Sequence, residues 1–266
     1  MIRIGCSGWS YPEWAPSFYP SRNTNFLRYY VRKFSTVEIN TTFYADPSPK
    51  SVMSWINSAA ERKDFLFSVK MPGAISHELL LSDLETAINR AVNFENSLLS
   101  GIAAHGKLGA CLIQLPPSAG KSGISAILRF VSSLASKRFR YVVEPRNMEL
   151  IHDRMFISDL VAQGVGYVIT DSPVSALENI SSATYLRLHG RNREGWTAHL
   201  DKSSRYDYDY SGSELGRIAE LISEMSLGSG DVFVYFNNHP HGNAPRNAHD
   251  LQIMLGLGKD PQSTLF

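Results

Sequence analysis

Eight short apolar runs, spaced along the chain and separated by longer amphipathic ones, limit the fold of this protein more than any other feature. They are IRIGC (2–6), VEINTTF (37–43), FLFSVKM (65–71), ACLIQL (110–115), YVVEP (141–145), GYVIT (166–170), TYLRLH (184–189) and DVFVYF (231–236). Runs of this length, rich in β-branched and aromatic residues, read as strands. Between most of them the spacing turns helical, as in NFLRYYVRKF (25–34), SPKSVMSWINSAA (48–60), DLETAINRAVNFENSLL (83–99), SGISAILRFVSSLA (122–135), SGSELGRIAELISEM (211–225) and APRNAHDLQIML (244–255). The helices after the fifth and sixth strands are expected to be shorter. Alternating strands and helices build a parallel sheet. Eight such units in about 250 residues close into a TIM barrel, so the fold class is α/β, a single (β/α)8 barrel. An open doubly wound sheet is the alternative, and it is weakened because no Gly-rich dinucleotide fingerprint follows a strand. Residues 1–257 are assigned to the barrel domain and 258–266 to a C-terminal tail, with 191–212 expected as a long irregular loop over the barrel top.

In a barrel one face of each strand meets the helices and the other meets the axis. In TYLRLH, Leu186 and Leu188 alternate with Tyr185, Arg187 and His189. The leucines are expected outward, which turns Arg187 and His189 inward. The same phase in other strands carries Glu38 and Asn40, Ser68 and Lys70, Gln114, Glu144 and Arg146, and Ser7. The eighth strand is ambiguous, because FNNH (236–239) has polar groups in both phases. Polar residues gathered toward strand C-termini lie where TIM-barrel enzymes build their sites. Any one buried Arg or Glu is equally well half of a structural ion pair. A whole set is harder to explain that way, since buried pairs rarely improve on apolar packing.

The charge balance, 26 basic against 25 acidic residues, argues against a strongly basic nucleic-acid binder. Two cysteines, Cys6 and Cys111, lie in apolar runs and read as buried thiols of a reducing compartment. With no secretory pattern at the N-terminus and no run of membrane-spanning length, a cytoplasmic location is expected. No nucleophile elbow, phosphate-binding Gly-Lys-Ser/Thr loop or His-Glu-x-x-His helix is present. Glu38, Glu144, Asp171, His189 and His239 have ligand chemistry, but neighbouring Arg and Lys compete with a cation, and no metal is assigned. No cofactor is assigned. His77, His105, His152, His199 and His249 read as surface or helix-capping residues, whereas His239 and His241 lie beside the expected mouth.

The segments GCSGWSYPEW (5–14), FYP (18–20), VEINTTFY (37–44), FSVKMP (67–72), LIQLPPS (112–118), VVEPRN (142–147), YLRLHGRN (185–192), RYDYDYS (205–211) and VYFNNHPHGNAPRNA (234–248) resemble the YecE-like family, also called domain of unknown function 72. The resemblance spans nearly the whole chain. It implies a TIM barrel and no established activity. The family pattern places an aromatic where Pro145 stands here, between Glu144 and Arg146, so hydrogen bonding at the end of that strand is expected to differ.

Two function classes follow. The first is an enzyme acting on an anionic, phosphate-bearing substrate, a sugar phosphate or a nucleic-acid phosphodiester, by hydrolysis or isomerisation. Glu38, Glu144 and His189 are its candidate catalytic groups. Ser7, Trp9, Tyr11, Asn40, Lys70, Gln114, Arg146, Arg187, Tyr206, Asn237 and Asn238 are candidate substrate contacts. A loop carrying Tyr206, Tyr208 and Tyr210 is expected to close over the ligand. The second class is a non-catalytic ligand-binding or DNA-processing accessory protein. For the tail, Gln262, Leu265 and Phe266 resemble the short peptide by which DNA-processing proteins dock on the bacterial sliding clamp; folding back onto the protein's own helices is the alternative.

Overall fold

The computed structural model describes residues 1–258 apart from 137, 176, 178–182, 198–201 and 229. The tail with Gln262, Leu265 and Phe266, and also His199, lies outside the described residues. Eight strands form where eight were expected: β1 (Ile2–Cys6), β2 (Thr36–Ile39), β3 (Leu66–Lys70), β4 (Leu108–Gln114), β5 (Tyr141–Glu144), β6 (Gly166–Asp171), β7 (Tyr185–Leu188) and β8 (Val232–Phe236). Their order in the sheet is β1-β8-β7-β6-β5-β4-β3-β2. From β2 to β8 sequence neighbours are sheet neighbours, and β1 lies beside β8, which is the strand order of a TIM-barrel-like α/β fold.

The described helices are α1 (Phe26–Lys33), α2 (Pro49–Ser58), α3 (Leu84–Phe94), α4 (Ser100–Ala104), α5 (Ile124–Ser132), α6 (Met148–Ile151), α7 (Arg154–Ala162), α8 (Arg193–Thr197), α9 (Gly212–Met225) and α10 (Asn243–Met254). Ser48 caps α2 ahead of Pro49, as the Ser-Pro entry predicts. Ser211 and Glu214 form a reciprocal capping box at the start of α9. The helical run 83–99 is interrupted, with a π-helical turn over Glu95–Leu99 between α3 and α4. A second π-helical turn, Ala74–Leu79, follows β3. Residues 191–212 are more ordered than an irregular loop, since they hold α8 and a 3-10 turn over Lys202–Tyr206. None of the described helices is long and apolar enough to cross a membrane.

The chain divides into two compact units, Met1–Val37 with Ile169–Phe266, and Glu38–Val168. In the first, β8 pairs in parallel with β1 and β7, setting Arg3 level with Phe233, and Gly5 and Arg187 level with Tyr235. Level residues of parallel neighbours project from the same face. Arg3, Tyr185, Arg187, Phe233 and Tyr235 therefore share one face, while Ile4, Cys6, Leu186, Leu188, Val234 and Phe236 share the other. Gly5 is glycine for a local reason: a Cβ there would lie 2.0 Å from the carbonyl oxygen of Thr36. In the second unit Lys70 is level with Leu112, and Gln114 with Glu144. The alternation read in the sequence is thus the alternation of the sheet within each unit. Both phases are buried, so the inward polar residues are taken out of water along with the aliphatic ones.

Candidate functional site

Each unit carries a polar cluster at the C-terminal ends of its strands. In the second unit the cluster is a linear chain. Lys70, the last residue of β3, donates from Nζ to Oε1 of Gln114 at 2.9 Å. Gln114 ends β4, and its Nε2 is 3.2 Å from both carboxylate oxygens of Glu144. Glu144 ends β5 and is fully buried, and Arg146 Nε lies 2.6 Å from its Oε1. The Gln114 amide is oriented by its neighbours, its oxygen toward the ammonium and its nitrogen toward the carboxylate. Lys70 Nζ also stands 3.8 Å over the ring of Phe43. Pro145 falls just after the last residue of β5, and the Glu144 carbonyl still accepts from the Leu115 amide at 2.9 Å.

Glu38 is buried in β2, and Asn40, one residue past that strand, has a buried Oδ1 without a hydrogen-bond partner. His77 was expected at the surface or in a helix cap. It is instead half-buried on the turn after β3, edge-on to Phe43 with ring centroids 4.9 Å apart. Burial, together with the charges of Lys70 and Arg146, holds its pKa below the ordinary histidine value, although the Gln114 carbonyl and Glu144 pull the other way. Thr42, Phe43, Pro72, Gly73, His77 and Glu78 line an open cleft of about 400 Å³.

In the first unit Arg187 and His189 are buried on and just after β7. His189 Nδ1 lies 3.0 Å from Asn237 Nδ2, and because an amide nitrogen only donates, Nδ1 is the acceptor and Nε2 carries the proton of the neutral ring. A series of rings runs outward from His189. Tyr206 is centred 6.0 Å from His189 and 5.7 Å from His239, and His239 stacks on Tyr11 at 5.0 Å. Tyr11 stacks in turn on Trp14, and its hydroxyl donates to the carbonyl of Ser7. Burial depresses the pKa of His239, against a weaker opposing pull from Glu13. Trp9 is half-buried, and its carbonyl accepts from Tyr19. Asn238 Nδ2 donates to the Tyr208 carbonyl and to Asn247 Oδ1, both at 2.8 Å, so it anchors the chain around Tyr208.

A network around Asp171 has no counterpart in the sequence reading. Arg191 Nε bonds both oxygens of buried Asp171 at 2.9 Å, and its Nη1 reaches Glu214 at 3.1 Å. Tyr210 donates to Asp171 at 2.8 Å while accepting from the Gly190 amide, and Tyr208 donates to Glu214 at 2.6 Å. Burial pushes the Asp171 carboxyl above its usual pKa, with Tyr210 and Arg191 holding it back. Tyr208 and Tyr210 are therefore held by hydrogen bonds to Glu214 and Asp171, and of the three tyrosines Tyr206 stands in the ring series. Asp171 is engaged by an arginine, and among the described residues no group of three or more His, Cys, Asp or Glu forms a metal site. His241 is exposed, 3.4 Å from Asp207.

The strand order and these polar strand ends define the class: a TIM-barrel-like α/β protein. More narrowly, the chain belongs to the family described as "Protein of unknown function DUF72", whose model matches residues 3–264. It is 32% identical over 188 residues to the UPF0759 protein YecE of Escherichia coli K12, covering 69% of this chain and 64% of that protein's length. The crystal structure of a DUF72 family protein from Thermotoga maritima MSB8 is 28% identical, with a TM-score of 0.82 over 96% of this chain and 99% of that one. A xylose isomerase domain containing protein from Salmonella typhimurium LT2 shares the fold alone, with a TM-score of 0.55 at 12% identity and 96% of each chain covered.

Proposed function

We propose that this protein is an enzyme acting on an anionic, phosphate-bearing substrate, a sugar phosphate or a nucleic-acid phosphodiester. The observation that carries this reading is the chain Lys70–Gln114–Glu144–Arg146, two cations and one carboxylate along three strand ends. Desolvating such groups costs several kcal/mol per ion, and apolar packing of equal volume is commonly as stable. Cations held on rigid strand ends are suited to a phosphate, Arg146 offering a planar fork and Lys70 a point charge. Glu144 supplies an acid–base group, positioned from two sides by Arg146 and Gln114. Glu38 is the second candidate carboxylate.

The test is calorimetric titration with inorganic phosphate, followed by a phosphatase, phosphodiesterase and isomerase screen. Lys70→Met and Arg146→Gln are each expected to weaken phosphate binding by about 1.5–3 kcal/mol, roughly tenfold to a hundredfold or more. Equal affinity in the wild type and both variants removes the anion-binding role. Binding without turnover of any compound in the screen leaves a ligand-binding module instead of an enzyme.

A further inference from the structure

We propose that the groove between α2 and the helical run α3–α4 docks an amphipathic helix of a partner protein, with the apolar face of that helix in the groove and a lysine or arginine at Asp46. The groove lies within the second unit, and the proposal is independent of the anion reading. Its volume is about 460 Å³. Ile56, Phe94 and Leu98 form a buried floor, while Val52 is half-buried and Met53 is exposed. On α2 the lining residues Pro49, Val52, Met53 and Ile56 recur at i, i+3, i+4 and i+7, the apolar stripe of an amphipathic helix. That stripe is about 10 Å long at 1.5 Å per residue. It matches the length over which an incoming helix offers anchors at the same spacing.

The opposite wall runs from Phe94 through the π-helical turn Glu95–Leu99 to Gly101 on α4. Single π-turns recur at functional sites. Gly101 points more directly to an occupant. Glycine weakens a helix interior, and a Cβ on Gly101 would meet nothing within 4 Å. Packing against the protein's own atoms therefore does not call for glycine. Bare backbone on a groove wall does let a second helix approach closely, since interaxial distance follows the side chains at the contact.

Charge at one end selects the kind of helix. Asp46 lines the groove and also the adjoining cleft of about 400 Å³, where Glu78 is a second carboxylate. Both are exposed, and among the described residues neither is in an ion pair. No lysine or arginine is among the described residues that line either space. Tyr44, 84% exposed, also lines the cleft, and a tyrosine face attracts a guanidinium or ammonium. Two carboxylates and an exposed aromatic complement a basic side chain and repel an acidic one.

The test uses the full chain and two fluorescein-labelled synthetic helices of about 15 residues. Both carry leucine on one face, with lysine on the other face of the first and glutamate on that of the second. Fluorescence polarisation is expected to show the Leu/Lys helix binding about tenfold more tightly than the Leu/Glu helix. Gly101→Leu places a side chain on the groove wall from an uncrowded position, so its Tm is expected to equal or exceed that of wild type. Its affinity for the Leu/Lys helix is expected to fall about tenfold. Met53→Lys, at an exposed position on the facing wall, is expected to weaken the same complex. Asp46→Lys is expected to bring the ratio of the two affinities to near one. Equal affinities in wild type, no binding of either helix, or Leu/Lys binding unchanged in Gly101→Leu and Met53→Lys overturns the proposal. Sedimentation velocity without peptide is expected to show a monomer, and a dimer that dissociates in Gly101→Leu assigns the groove to a second copy and overturns the partner reading.

Discussion

Replacing Glu144 and Arg146 with leucine, singly and together, separates what this ion pair does for the fold from what it does for a ligand. Glu144 is fully buried, and Arg146 keeps 18% of its side chain exposed. Removing Glu144 takes the buried ion-pair partner from a guanidinium that can still turn partly toward water, so Glu144→Leu is expected near the lower end of the range for a broken buried pair, about 3 kcal/mol. Removing Arg146 takes the ion-pair partner at 2.6 Å from a carboxylate in the interior, to which Gln114 also donates at 3.2 Å. Arg146→Leu is therefore expected near the upper end, about 5 kcal/mol. The double variant removes both charges of the pair and is expected to be less destabilised than either single one, because apolar replacement of a whole pair is often neutral or stabilising. Urea denaturation with unchanged m-values gives the three differences. Phosphate at a hundredfold excess over its dissociation constant stabilises a binding protein by about 2.7 kcal/mol, and that increment is expected in wild type and absent from the double variant. A double variant destabilised by the sum of the two single effects refutes the reasoning, since the pair is then worth its desolvation as a structural element.

Lys107 Nζ is buried against three backbone carbonyls after α2, those of Ala59, Arg62 and Lys63, at 3.2, 2.7 and 3.1 Å. Lys107→Met is expected to cost about 3 kcal/mol in urea denaturation, and a loss below about 0.5 kcal/mol removes its role as a clamp on that turn. Burial raises the Asp231 carboxyl, but the hydrogen bond and charge of Arg3 outweigh it and hold the pKa below the ordinary value. A depressed carboxylate contributes stability that is present above its unfolded pKa of about 3.9 and is lost as pH falls through its folded value. Asp231→Asn is expected to flatten the acid limb of the stability curve below about pH 4, and a limb as steep as that of wild type contradicts the assignment.

The legible part of the molecule is the part governed by period. Leu186 and Leu188 against Arg187, and Ile113 against Gln114, hold their phase because a strand alternates faces whatever surrounds it. The pairing register then carries that phase from strand to strand within each unit. Where the chain leaves a strand, period no longer guides it. In VEINTTF the strand stops at Ile39, Asn40 takes a helical backbone, and Thr42 turns back to bond the Lys70 carbonyl at 2.6 Å. His77 departs from its expected surface or capping position for the same reason: it packs edge-on to Phe43, which lies 34 positions earlier, and it sits on a π-turn that has no amphipathic signature. Arg191 meets Asp171 and Glu214 across 20 and 23 positions, with no shared period to mark the set.

The two buried carboxylate–arginine groups also show why residue type alone does not identify a site. Asp171 and Glu144 are each buried, and each is bonded to an arginine and to a neutral donor. The Asp171 group joins the end of β6 to residues 191–214 and fixes Tyr208 and Tyr210 in place, which is work a fold requires of any long connection. The Lys70–Gln114–Glu144–Arg146 chain joins strand ends that the ladder already holds in register, with Gln114 level with Glu144. The sheet does not depend on those side chains to keep its strands together. On the function proposed above, their desolvation goes into holding charges in fixed positions on a rigid frame, the condition under which fixed dipoles and ions act on a ligand without reorganising around it.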